Sequence, residues 1–336
     1  MNVWKLTGAG KIEKTESPVP EPEAGKIKVR VTKVLLCNAD AEAYLGSTKI
    51  KQPMIPGQFA IGMVAEDNAN AMFAKGTRVV LHAFVPAPDS GTAKKDFSED
   101  DFDVCGQSKD GYLRDIVYLS PDEMTPLPDS VSDNQALLLH HVAFAQATVD
   151  ALGAQKGQHI AVTGANILGM LVCQLLIYQQ AAPLLIDANV ERLNFARNTG
   201  VYYSMLADDA LVENIGTVTG GRLADGAVYV TGASGNDSSI PFKICAREKQ
   251  VIVSGQPPCG IKLDLDLALR KQLSVFMISN CSEYLETAIN LVANKAVNTD
   301  RFHANSVKAN GVIPFLEEYA ARTERDIDEY TFADLL

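Results

Sequence analysis

The sequence predicts an α/β protein in two parts, a β-rich first third and a doubly wound parallel sheet after about residue 130. Three observations lead there. Short segments of alternating apolar and polar residues, separated by Pro and Gly, fill the first part. Apolar strand runs alternate with helical segments after it, the pattern of a parallel sheet covered on both faces. One of those strands runs into a glycine-bounded turn that opens a helix. A length of 336 residues suits two domains at roughly 150 residues each.

In chain order, Lys26–Val34 alternates with period two, as a half-buried strand does. Ile61–Ala65 and Thr77–Leu81 are further strands. Pro18, Pro20, Pro22, Gly25, Pro53, Pro56, Gly57 and Gly76 mark the turns. Residues 86–111 carry Asp96, Glu99, Asp100, Asp101 and Asp103 and read as a surface loop. Ser132 to Gly153 has no internal Pro or Gly and reads as one long helix. Strands follow at His159–Thr163, Leu184–Ile186, Gly226–Val230, Gln250–Ser254 and Leu273–Ile278. Helices are expected at 167–180, 190–198, 282–293 and 312–322, with a polar tail after them.

Composition excludes several functions. The formal charge is −11, which disfavours a polyanionic partner such as nucleic acid or an anionic membrane surface. No run of 18 apolar residues exists, and Met1–Thr7 shows no basic stretch leading into an apolar core. A cytoplasmic location is expected. The six cysteines, Cys37, Cys105, Cys173, Cys245, Cys259 and Cys281, are never within ten residues of one another. This excludes CxxC pairs and cysteine zinc knuckles and leaves free thiols as the expectation. A role in an active site can be argued for Cys37 alone.

The strand His159–Thr163 leads into Gly164-Ala165-Asn166-Ile167-Leu168-Gly169, and the next strand ends at Asp187, 23 residues after Gly164. This is the layout of a dinucleotide-binding unit. The tight turn aims a helix N-terminus at a pyrophosphate, and an acid follows for the adenosine ribose hydroxyls. Gly164, Asn166, Ile167, Leu168, Gly169 and Asp187 are the expected coenzyme residues. Asn166 stands where the motif has its second glycine, so its side chain must point away from the phosphates. Asp187 predicts NAD in preference to NADP, because a 2′-phosphate would meet a carboxylate. Arg192 reads as a helix-surface arginine near the adenine, with phosphate binding as the alternative.

Taken together, these residues resemble the medium-chain dehydrogenase/reductase family, the zinc-type alcohol dehydrogenases, along nearly the whole chain. Cys37-Asn38-Ala39-Asp40, followed by Tyr44-Leu45-Gly46, is similar to the family's Cys-Gly-Thr-Asp segment. Pro56-Gly57-Gln58-Phe59-Ala60-Ile61-Gly62 resembles Pro-Gly-His-Glu-x-x-Gly, and Gly76-Thr77-Arg78-Val79 resembles Gly-Asp-Arg-Val. Asp110-Gly111-Tyr112-Leu113-Arg114-Asp115 is similar to Gly-Gly-Phe-Ala-Glu-Tyr. The resemblance implies a GroES-like catalytic domain over 1–147 and 285–336 and a Rossmann domain over 148–284. It also implies an active site in the cleft between them, hydride transfer at nicotinamide C4, and a homodimer joined through the edge strand at 275–278.

The departures from the family fall on its zinc site. Cys37 stays, but the ligand His becomes Gln58, the neighbouring Glu becomes Phe59, and the later ligand position falls on His140 or His141, with register favouring His140. The proton-relay Ser or Thr becomes Ala39, and the structural zinc loop is absent. Two good ligands are too few for zinc, so a catalytic zinc is not expected. The candidate catalytic residues are Cys37, Asp40, Gln58 and His140. Asp40 reads as a hydrogen-bond partner near the site. Cys37 reads equally as an active-site thiol or a small buried residue. His140 or Gln58 would donate a hydrogen bond to a developing alkoxide. The expected function is NAD(P)-dependent oxidation or reduction of a small alcohol, polyol or carbonyl compound. The alternatives are a zinc-independent enoyl or quinone C=C reductase and a non-catalytic dinucleotide-binding sensor.

Overall fold

The structure, a computed structural model, describes residues 1–48, 50, 52–86, 102–233, 235–255, 261–322 and 329–336. It divides into two compact units. The first comprises Met1–Leu137, Ala304–Arg322 and Tyr330–Leu336; the second is built on Leu138–His303. The border expected between residues 147 and 148 lies within the helix Leu139–Leu152.

The first unit opens with an antiparallel hairpin, Asn2–Gly8 with Lys11–Glu16. Its main sheet has the order His303–Lys308, Glu329–Asp334, Ile27–Leu36, Phe59–Val64, Arg78–Leu81, Met124–Pro126. Ile27–Leu36 is the organising strand. One edge pairs with Phe59–Val64, with a register shift between Val31 and Lys33. The other edge is shared by two partners in succession, Ile116–Leu119 against Ile27–Arg30 and Thr331–Asp334 against Lys33–Leu36. A bulge bends a strand and strengthens its twist, which lets one strand serve two neighbours on the same side. Val29, Val31, Val34 and Leu36 face a core shared with Trp4, Ala60, Val79, Leu81 and Leu113.

Two expectations need correction in this unit. The chain ends in a strand, Glu329–Asp334, with Tyr330, Phe332 and Ala333 buried, and not in a polar tail. Its apolar residues are too few and too closely flanked by acids to register as a strand by periodicity. Within the expected loop at 86–111, Phe102–Val104 is a short strand paired with Phe84–Pro86. The acidic residues from Asp96 to Asp101 lie outside the described residues, as does Cys259.

The second unit is a six-stranded parallel sheet. Its spatial order is Tyr203–Leu206, Ala182–Asp187, His159–Thr163, Gly226–Val230, Gln250–Ser254, Ser274–Ile278. Numbered along the chain this is 3-2-1-4-5-6, the doubly wound order with its switch point between the first and fourth strands. Helices join the strands, as parallel crossovers require. Gly226–Val230 is buried throughout, which explains its continuous apolar run. The segment read as one helix is two, Asp133–Leu137 and Leu139–Leu152, broken at Leu138 where the chain passes from the first unit to the second. Among the described residues, no helix is long and apolar enough to cross a membrane.

Candidate functional site

Strand His159–Thr163 ends beside the switch point, and the turn after it is built around two glycines. Gly164 has φ +111°, a region L side chains rarely adopt, and a Cβ there would lie 3.0 Å from the Val230 carbonyl oxygen. At Gly169 a Cβ would lie 1.8 Å from the Gly164 carbonyl oxygen, so helix Ile167–Tyr178 approaches the turn as closely as it does only because residue 169 has no side chain. Asn166 is the helix N-cap, at φ −82° and ψ −178°. That is ordinary extended backbone, so the special conformational tolerance of Asn is not needed here. Its Oδ1 accepts from Gly169 N at 3.0 Å and its Nδ2 donates to Thr231 O at 3.0 Å, which turns the amide inward. The first-turn amides of Ile167 and Leu168 have no intrahelical acceptor, by the geometry of any helix start. They sit where a helix N-terminus attracts an anion.

Asp187 ends the neighbouring strand with a fully buried carboxylate. Four donors reach it: Ala165 N at 2.7 Å, Asn189 N at 2.8 Å, Asn236 Nδ2 at 3.0 Å and Arg192 Nη1 at 3.2 Å. Arg192 is therefore not a helix-surface residue. Its guanidinium is buried and paired with Asp187. A buried cation needs a counter-charge, and Asp187, five residues earlier, supplies one. Asn236 also anchors itself through Ala188 N, which donates to Asn236 Oδ1 at 2.9 Å. Sequence reasoning missed Asn236. It lies 49 residues from Asp187 and belongs to no local pattern, and the one available signal was its place in the loop after the fourth strand, at the switch point.

In the first unit, Cys37 caps helix Asn38–Leu45, and Asp40 closes the capping box. The buried Asp40 carboxylate accepts from Cys37 N at 3.0 Å, Cys37 Sγ at 3.4 Å and Gly57 N at 2.8 Å. Burial pushes its carboxyl above the usual range, while the donors from Cys37 and Gly57 pull against that shift. Thus Asp40 ties the Cys37 segment to Gly57, the residue before Gln58. Gln58 is 2 % exposed, and among the described residues neither Oε1 nor Nε2 has a hydrogen-bond partner. Such a group costs on the order of 1–3 kcal/mol for each polar end left bare, and natural folds seldom tolerate it without a reason.

His140 and His141 lie in helix Leu139–Leu152 of the second unit. His140 is buried, and its backbone carbonyl accepts from Cys281 Sγ at 3.6 Å. His141 is partly exposed as a residue, but its Nδ1 is buried, and loss of solvent lowers its pKa to about 4.

The donor set decides whether zinc suits this chain. Zinc takes thiolate, imidazole or carboxylate. Here one cysteine, a neutral carboxamide and the phenyl ring of Phe59 stand at the ligand positions of the first unit, so Cys37 alone is a good zinc donor among them. Among the described residues, no group of three or more His, Cys, Asp or Glu could hold a metal ion. These residues do not fit a catalytic zinc. The Gly164–Gly169 turn, by contrast, has the glycine cradle and free helix start that a dinucleotide pyrophosphate needs.

Known proteins resemble this chain over most of its length. Residues 23–129 match the alcohol dehydrogenase GroES-like domain. The chain is 22 % identical over 319 residues to an uncharacterized zinc-type alcohol dehydrogenase-like protein of Haemophilus influenzae, covering 92 % of each chain. It is 22 % identical over 301 residues to sorbitol dehydrogenase of Gallus gallus, covering 86 % of this chain and 85 % of that one. Among solved structures, a short chain alcohol dehydrogenase from Escherichia coli CFT073 complexed with NADH superposes with a TM-score of 0.83 at 15 % identity, covering 100 % and 99 % of the two chains. A zinc-binding dehydrogenase from Sinorhizobium meliloti 1021 bound to NADP gives 0.84 at 19 % identity, covering 99 % of each. At these identities the structural matches establish the fold.

Proposed function

We infer the function from a membership: the chain belongs to the medium-chain dehydrogenase/reductase family, among its zinc-type alcohol dehydrogenase-like members, and is an alcohol dehydrogenase-like oxidoreductase. It carries out NAD(P)-dependent hydride transfer between an alcohol or polyol and the corresponding carbonyl compound. We extend this to a reading in which the coenzyme is NAD, no catalytic zinc takes part, and the protein works in the cytoplasm as a homodimer.

The observation that carries the reading is the Gly164–Gly169 turn at the switch point of a 3-2-1-4-5-6 sheet. When bound, the coenzyme supplies or accepts the hydride. The chain's own residues do the rest. The amides of Ile167 and Leu168 hold the pyrophosphate. Asp187 takes the adenosine ribose hydroxyls once Asn236 gives way. Arg192 is committed to Asp187 and buried, so its charge is withheld from a 2′-phosphate, which favours NAD. Gln58 donates from Nε2 to the substrate oxygen, and His140 is the second candidate donor.

The test is an NADH fluorescence titration, repeated with NADPH, together with elemental analysis. The expected result is NADH binding tighter than NADPH binding, with far less than one zinc per chain. Absence of binding by either coenzyme overturns the function; equimolar zinc overturns the metal-free mechanism. His140→Ala is expected to lower kcat and leave coenzyme affinity intact, and unchanged turnover removes His140 from the mechanism. A second reading is supported by the enclosed Asp187 carboxylate, namely a coenzyme-binding protein without turnover. Tight NADH binding with no reaction on a broad panel of carbonyl compounds and enones would establish it.

A further inference from the structure

Side chains tie three loops together at the carboxyl edge of the parallel sheet, those after His159–Thr163, Ala182–Asp187 and Gly226–Val230. Ala165 N donates to Asp187 Oδ2 at 2.7 Å and joins the first loop to the second. Asn236 Nδ2 donates to the same oxygen at 3.0 Å, and Ala188 N donates to Asn236 Oδ1 at 2.9 Å, so the second is joined to the third. Asn166 Nδ2 donates to Thr231 O at 3.0 Å and closes the ring from the first loop to the third. Asn166 is the member that the dinucleotide pattern does not call for, since a glycine there has no side chain to reach Thr231. Its other end, Oδ1, caps the helix through Gly169 N.

Between Thr231 and Asn236 the chain turns at Gly232 and Gly235, at φ +82° and +83°, and Asn236 lies in no helix or strand. Side-chain bonds therefore fix where Asn236 stands. Thr231 is the near anchor, held by Asn166 on its carbonyl and by Ser254 O on its N–H at 3.0 Å. We propose that Asn166 is a positioning residue for the coenzyme: through Thr231 it keeps Asn236 on Asp187, and so sets how readily that carboxylate is released to the adenosine ribose. A ribose hydroxyl can donate to Asp187 Oδ2 only after Asn236 leaves it. Asn166 stabilises the closed ring, and a ligand that needs the open one binds more weakly by the fraction of molecules held closed. The proposal rests on the coenzyme reading above and adds a residue that governs it from a different loop.

Asn166→Ser separates the two bonds of Asn166, because serine still caps the helix but is too short to reach Thr231. In the protein without coenzyme, hydrogen exchange at the Ala188 amide, whose acceptor is Asn236, is expected to quicken about fivefold, the worth of one buried hydrogen bond. ADP-ribose, which carries the adenosine ribose, is expected to bind about fivefold more tightly in calorimetric titration for the same reason, and inorganic pyrophosphate to bind as in the wild type. In the Asn236→Ala protein, Asn166→Ser is expected to leave the ADP-ribose affinity where it is, since the bond it acts through is gone. Unchanged exchange at Ala188 overturns the proposal. So do additive effects of the two substitutions, and so does an equal gain for pyrophosphate, which would mean that Asn166 obstructs the phosphates directly. A wild type that binds neither ADP-ribose nor NADH overturns the coenzyme reading instead, and exchange at Ala188 then decides the coupling by itself.

Discussion

On the reading proposed above, Asn236 occupies the partner position that a ribose would need. Its Nδ2 lies 3.0 Å from Asp187 Oδ2, and its Oδ1 holds Ala188 N at 2.9 Å, so the loop closes over the acid that the coenzyme must reach. Asn236→Ala removes this competitor and leaves the Asp187–Arg192 pair in place. It is expected to tighten NADH binding several-fold, measured by fluorescence titration. His141 offers a pH test. Its pKa is lowered from the usual 6.5 to about 4 by loss of solvent. A base depressed in the fold binds fewer protons folded than unfolded between those values. Its stabilising contribution is therefore complete above pH 6.5 and declines as the pH falls towards 4. Of the order of 2 kcal/mol should disappear across that interval, and His141→Leu should flatten the corresponding fall in Tm. At this scale the sequence made Gly164, Gly169 and Asp187 legible, because each serves a local motif. The burial of Arg192 was not legible, since whether a helix position is exposed depends on tertiary packing that a local window does not carry.

Helix Ile167–Tyr178 and the strand before it meet through the absence of one side chain. Gly169→Ala places a Cβ against the Gly164 carbonyl oxygen, where backbone and not a flexible side-chain end must yield. The expected cost is about 3 kcal/mol in urea unfolding, with loss of NADH binding, because the turn opens. Strand Ser274–Ile278 is the edge of the parallel sheet, with Phe276 48 % and Met277 64 % exposed. An exposed apolar edge invites pairing, and the homodimer proposed above would join there. Met277→Lys is expected to shift the mass seen by light scattering at micromolar concentration from dimer to monomer, and a wild-type monomer would refute the assembly. The central parallel strands, His159–Thr163, Ala182–Asp187, Gly226–Val230 and Gln250–Ser254, were legible because they are largely buried and their runs are apolar, whereas the half-buried Tyr203–Leu206 was not read as a strand. The break at Leu138 was not legible, for no Pro or Gly marks it; it falls where the chain changes units, a constraint that propensity does not carry.

At the scale of the whole molecule, the first unit is built from segments far apart in sequence. Glu329–Asp334 lies between His303–Lys308 and Ile27–Leu36, well inside the sheet and not at its rim. The sequence made the two-part plan legible, since periodicity changes from two to alternating strands and helices near residue 130. It did not make this closure legible, because pairing between residues some 300 positions apart leaves no trace in a local window.

Synthesis from the amino terminus makes that closure an event in time. When the amino-terminal strands of the first unit have left the ribosome, the place beside Lys33–Leu36 is still empty, and its partner follows some 300 residues later. The nucleotide-binding sheet has all six of its strands once Ile278 has emerged. It can therefore mature while the amino-terminal unit still waits with an open flank, so the part translated first is the part completed last.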